Sequence, residues 1–122
     1  MSDISELTKD GFRALFVFGI TQEFFDQPRE KLPHIGKAIK GAFANLGERF
    51  NVKVLGTFDD DLLSVGVTRG YPYISYILAE IPNLEAVIEI TNLVRTPYED
   101  GRLARFLTID ARIGHPLFFG NE

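Results

Sequence analysis

Apolar side chains fill both registers of the segment Phe12 to Thr21, FRALFVFGIT. In an extended chain Leu15 and Val17 point to one face, and Phe16, Phe18 and Ile20 to the other. A strand that is apolar on both sides needs cover on both sides. The chain's own helices can supply one cover. A second copy of the subunit is the simplest candidate for the other. Gln22 to Pro33 contains Asp26-Gln27-Pro28 and a second proline, and reads as an irregular connector. Phe24 and Phe25 either tuck beneath this connector or stand at the rim of a cavity.

From Pro33 to Phe50 the apolar period changes to that of a helix. Ile35, Ile39, Ala42, Phe43, Leu46 and Phe50 share one stripe, with Lys37, Lys40 and Glu48 on the far side. Pro33 suits the first helical position. Gly36 and Gly47 lie on one flank of the stripe. A glycine costs about 1 kcal/mol against alanine in a helix interior. Their placement predicts close approach of the helix to the sheet or to a ligand.

A second strand is predicted over Val52 to Phe58 and a third over Tyr71 to Ile81. A long connection that opens with Asp59, Asp60 and Asp61 joins them. The third strand alternates Tyr73, Ser75, Ile77 and Ala79 against Ile74, Tyr76, Leu78 and Glu80, so neither face is fully polar. Asn83 is a candidate N-cap for a helix from Leu84 to about Arg95, which Pro97 ends. Ala86, Val87, Ile90, Leu93 and Val94 form its buried stripe, while Leu84 and Ile88 are surplus apolar surface. After a turn at Tyr98 to Gly101, a fourth strand is predicted over Arg102 to Ile113. Arg105 interrupts the apolar face of that strand made by Leu103, Leu107, Ile109 and Ala111.

The resulting order, β-α-β-β-α-β, is the ferredoxin-like split βαβ arrangement. It predicts an α+β fold with a four-stranded antiparallel sheet and two helices on one face. The expectation is a single domain over 1–122, with a loose arm at Met1 to Gly11. A tail from Gly114 to Glu122 carries Leu117, Phe118 and Phe119 and is expected to dock on its own domain or on a partner.

Composition narrows the function classes. A length of 122 residues fits one domain that buries a core without staples. The net charge of -4 leaves no basic footprint for a phosphate backbone, so no nucleic-acid partner is expected. There is no cysteine, which removes disulfides and thiolate chemistry, and two histidines alone argue against an all-protein zinc site. The first residues lack the basic and apolar regions of a signal peptide. No apolar run reaches the roughly 18 residues of a membrane span, so the expected location is cytoplasmic. The 11 Phe and 4 Tyr, with no Trp, fit either an aromatic-rich core or a pocket for a flat apolar ligand.

The aspartate run is the most polar point of the chain. Adjacent carboxylates raise one another's pKa, which suits Asp60 or Asp61 to act as a general base. Such carboxylates also suit Mg²⁺ or Ca²⁺. The plainer reading is a solvated turn after the second strand. Tyr71, Tyr73 and Tyr76 offer stacking surface and hydroxyls for a ligand, or serve as core tyrosines. Arg105 is a candidate for holding a ligand carboxylate, or pairs with Asp59 to Asp61 or Asp110 across an interface. His34, in the first turn of the first helix, is a candidate ligand contact with a solvated alternative, and His115 reads as a surface residue.

The element order resembles the dimeric α+β-barrel superfamily, which includes muconolactone isomerases and cofactor-free quinone-forming monooxygenases. VLGTFDDD at 54–61, G-x-P-Y-x-x-Y-x-L-A-E-I-P within 70–82, NLVR at 92–95 and RFLTIDARIG at 105–114 are similar to the small IacB-like proteins of indole-3-acetate degradation. The resemblance implies a homodimer and a role in aromatic-compound catabolism. The histidine-centred sites of some barrel monooxygenases are missing here. The expectation is a binder of a small aromatic compound, acting without metal or organic cofactor as an isomerase, a monooxygenase or an accessory factor. The alternative is a non-catalytic homodimeric interaction protein. A helix–sheet space filled by Phe16, Phe18, Phe43 and Phe106 would favour assembly, and an open, tyrosine-lined pocket would favour a ligand.

Overall fold

The computed structural model describes residues 12–63, 65–66 and 74–120. Four strands form one sheet: β1 (Phe12–Ile20), β2 (Lys53–Asp59), β3 (Ser75–Ile81) and β4 (Leu107–Gly114), in the spatial order β2-β3-β1-β4. Every neighbouring pair is antiparallel. Besides a single helical turn over Gln22–Phe25, the α-helices are α1 (Leu32–Ala42), α2 (Leu46–Phe50) and α3 (Leu84–Thr91). β1 and β2, joined through α1 and α2, are separated by β3, as are the partners of a split βαβ unit. The fold is α+β and ferredoxin-like, as the element order predicts.

Register assigns each side chain to a face. Phe16 stands between Ile77 and Ala111, and Phe18 between Ser75 and Ile109, so these residues share one face. Phe12, Ala14, Phe16 and Phe18 of β1, Ala79 and Ile81 of β3, and Leu107 of β4 are buried in one cluster with Leu46, Val52, Ala86, Val87 and Ile90. This is the helix-covered face. On the reverse face Val17 stands between Tyr76 and Asp110, and Leu15 between Leu78 and Arg112. Phe58 lies opposite Tyr76 on β2 and is 63% exposed.

The predicted first helix is broken. α1 ends at Ala42, and α2 starts only after Asn45, whose φ of 55° is left-handed. Asparagine tolerates that conformation better than other residues with a Cβ. The break leaves carbonyls without helical donors. Arg49 supplies them, its Nη1 donating to the oxygens of Ala42 at 2.7 Å and Ala44 at 2.8 Å. The guanidinium also lies 5.0 Å from the Phe50 ring centroid. Asn51, at φ 56°, ends α2 in the same way. Of the two flanking glycines, Gly47 makes a close approach, but to the connection before β2 rather than to the sheet or a ligand: a Cβ there would meet the Val52 carbonyl at 3.3 Å. Gly36 has open space and makes none.

α3 begins as expected, with the Asn83 Oδ1 accepting from the Ala86 N–H at 2.9 Å. It gives way to a 3-10 turn over Asn92–Arg95, earlier than predicted. The fourth strand also differs. Pro97–Tyr98 pairs with Gly101–Arg102 in a small hairpin around Glu99, at φ 53°. A 3-10 turn over Leu103–Arg105 follows, and β4 starts only at Leu107. The Phe106 carbonyl accepts from Thr21 N–H, and Thr21 Oγ1 donates to the Arg105 carbonyl, so the turn is tied to the end of β1. The anticipated arm at 1–11 lies outside the described residues. Of the tail, Leu117 is 63% exposed, Phe118 93% and Phe119 54%. Among the described residues no helix is long and apolar enough to cross a membrane.

Candidate functional site

The two covering helices pack unequally. α3 buries Ala86, Val87 and Ile90, whereas α1 fully buries only Ile35. Ile39 and Phe43, further along the predicted stripe, are half-buried. Because the helix breaks just beyond Phe43, the sheet under its last turn is not filled. A cavity of about 410 Å³ lies there. Phe18 and Ile20 of β1, Ile77 of β3, Leu107 of β4, and Ile39 and Phe43 of α1 give it apolar walls. Phe18 and Phe43 meet edge to face, with centroids 5.3 Å apart. Lys40, Thr57, Asp59 and Ser75 add polar groups. That volume and mixture match a small-molecule site. Among the described residues, phenylalanines and isoleucines dominate the walls, and Tyr76 is the one tyrosine in the lining. Phe16 and Phe106 are fully buried and make no part of it.

The alternation of β2 splits the aspartate run. Asp59 pairs with Ser75 in register and borders the cavity. Asp60 follows the strand, its N–H donating to the Ile74 carbonyl at 2.8 Å. Its Oδ2 accepts from the Tyr76 hydroxyl at 3.0 Å. Tyr76 in turn lies against Phe58, with ring centroids 5.8 Å apart. The hydrogen bond to the Asp60 carboxylate, aided by desolvation, raises the Tyr76 pKa above its ordinary 10.0. Asp61 is exposed. The three carboxylates thus go to different surroundings, and among the described residues no group of three His, Asp or Glu side chains is placed to hold a metal ion.

Of the other candidates, Tyr71 and Tyr73 lie outside the described residues. His34 is exposed in the first turn of α1. Arg105 sits in the 3-10 turn before β4, not in a strand. Its partners are neither the aspartate run nor Asp110: Nε donates to Glu23 at 2.6 Å, and Nη1 lies 3.4 Å from Asp100. The bond to Glu23 raises the Arg105 pKa further. With Lys31 and Glu99 at 2.8 Å, these exposed pairs tie the hairpin to the connector after β1. The structure thus joins Asp60 to Tyr76, and leaves Arg105 and His34 out of the cavity lining.

Thr57 and Ser75 were not singled out as site residues, and Lys40, expected on the far side of the first helix, instead borders the cavity. The alternation of Thr57 and Ser75 with apolar residues was legible, but only the cross-strand register sets Thr57 beside Ile77 and Asp59 beside Ser75.

No protein-family model matches the chain, and no curated protein matches it significantly. Among solved structures, that of a "putative chlorite dismutase" superposes with a TM-score of 0.48 at 16% identity, over 86% of this chain and 44% of that one. This chain thus spans less than half of that protein's length. A dimeric protein of unknown function and ferredoxin-like fold from Bacteroides fragilis superposes with a TM-score of 0.41 at 12% identity, over 84% of this chain and 94% of that one. Likeness at this level carries no information about activity.

Proposed function

We propose that this protein binds a small aromatic compound in the cavity between its sheet and α1. The observation that carries the reading is the 410 Å³ space itself, apolar on most sides and bordered by Lys40, Thr57, Asp59 and Ser75. Flat apolar ligands gain from aromatic walls, and a few polar groups fix their orientation. The resemblance to IacB-like proteins gives the ligand class: an indole-type or catechol-derived acid from aromatic-compound degradation. Asp59 is then the carboxylate nearest the ligand. A role for Asp60 as base requires Tyr76 to pass its influence across the strand, and Asp61 requires a ligand that reaches past the strand end.

Isothermal titration and amide chemical-shift mapping with indole-3-acetate and catechol-derived acids test the reading. Saturable binding with shifts at Phe18, Phe43 and Ile77 is expected. Ile39→Trp, which fills the cavity from the half-buried side of α1, should abolish it in a folded protein. No binding at millimolar ligand would sink the proposal.

The reverse sheet face supports a second element of the reading, a second copy of the chain. Leu15, Val17, Tyr76 and Leu78 form an apolar stripe there, and Phe58 at its edge is 63% exposed. An assembly-only protein would dimerise through this face and leave the cavity empty. Sedimentation equilibrium of the wild type and Leu15→Lys, which lies on the reverse face and outside the cavity lining, run beside the ligand titrations, separates the two readings.

A further inference from the structure

At the opposite end of the sheet a second cleft of about 410 Å³ opens between Arg13, Asn51, Lys53, Glu80, Pro82 and Pro116. It lies about 20 Å along β1 from the first cavity, at the 3.3 Å rise per residue of a strand. We propose that this cleft is a binding site for a small monocarboxylate with an apolar body.

Three charged side chains cross the sheet in one row. Glu80 of β3 is the register partner of Arg13 on β1 and of Lys53 on β2. Neighbouring strands stand about 4.8 Å apart, which sets the backbones of Arg13 and Lys53 roughly 10 Å from one another with that of Glu80 between them. Yet neither Arg13 nor Lys53 is among the ion pairs seen in the described residues, such as Lys31–Glu99 and Arg105–Glu23. The Nε of Arg13 is buried without an acceptor. A buried donor left unpaired is costly, and the Nη groups of the same guanidinium are not buried and stay open to an oxygen from outside. A guanidinium binds a carboxylate through two parallel N–H donors, and Lys53 adds a point charge. The row carries a net single positive charge, which one carboxylate neutralises. Glu80 repels a second negative charge and so selects against phosphate dianions. Val52, Ile81, Pro82 and Pro116 supply apolar lining for the body of the ligand. The inference does not depend on the first cavity.

Chemical-shift titrations with benzoate, acetate and inorganic phosphate test it. Benzoate should bind saturably, more tightly than acetate, with shifts centred on Arg13, Asn51 and Lys53. Phosphate should bind more weakly than either. Arg13→Gln and Lys53→Gln should each weaken benzoate about tenfold, the equivalent of one charge-assisted hydrogen bond. Glu80→Gln, an exposed substitution that leaves the core untouched, should tighten benzoate several-fold by removing the competing anion. Ile39→Trp at the first cavity should change nothing here. Shifts that never saturate, or unchanged affinity in Glu80→Gln, overturn the site. Phosphate binding more tightly than benzoate overturns the ligand class.

Discussion

Phe16 and Phe58 are both strand phenylalanines, and truncating each to alanine puts the two sheet faces to a direct test. Phe16 has no exposed surface and stands mid-strand on β1 between Ile77 and Ala111, against the helix-covered cluster. Phe16→Ala leaves a hole that sheet and helices cannot both collapse into, at a cost of about 3–5 kcal/mol. The unfolding entropy near the midpoint is about 2.1 cal/mol/K per residue, so over 122 residues each kcal/mol lowers Tm by about 4 °C. The expected fall is therefore about 12–20 °C. Phe58 is 63% exposed and rests on Tyr76. Burying a whole phenylalanine is worth about 1.5–3 kcal/mol, so the covered third contributes about 1 kcal/mol or less. Phe58→Ala should leave the folding of a monomer almost intact and weaken self-association instead. Denaturant titration and thermal melts, each at two protein concentrations, report both effects. Equal destabilisation by the two substitutions at low concentration would refute the β2 register and the assignment of faces built on it.

Two further outcomes follow from the site and its supports. The Asp60 carboxylate raises the Tyr76 pKa, so the contribution of their hydrogen bond is fully present below pH 10.0 and is lost as pH rises through the higher folded value. In a tyrosinate absorbance titration, with Tyr76→Phe identifying the component, Asp60→Asn should move that component back toward 10.0; an unmoved component would contradict the bond. Arg49→Ala should cost about 1–2 kcal/mol, because two carbonyls at the helix break lose a charged donor. Arg49→Lys should recover only part of this, since an ammonium does not reproduce the guanidinium's fixed geometry. Full recovery in chemical denaturation would show that charge alone matters there.

The element order and the fold class were legible in the sequence because both rest on local periodicity. Alternation in FRALFVFGIT marked a strand apolar on both faces, and Asn83 marked a helix start, whatever the rest of the chain does. The fold also follows from which segments alternate and which repeat every 3.6 residues. Local pattern could not show that the first helix stops at Ala42. Its apolar stripe continues to Phe50, and the break depends on Asn45 taking a left-handed conformation and on Arg49 reaching back to the freed carbonyls. It could not show that Arg105 leaves the strand, because Glu23, 82 residues earlier, holds it.

The candidate sites divide in the same way. The sequence presented Asp59, Asp60 and Asp61 as one acidic cluster. Strand geometry gives Asp59 to the cavity and Asp60 to Tyr76. The walls at Phe18, Phe43 and Ile77, and the row of Arg13, Glu80 and Lys53, join residues far apart in the chain through cross-strand register and helix placement. Hydrophobic period is a property of neighbours along the chain and survives in any context, so the sequence alone determined the four strand regions, the two helical regions and their order. Cavities and charge rows are made by segments that meet only when the chain folds, and only the tertiary structure decided where they lie.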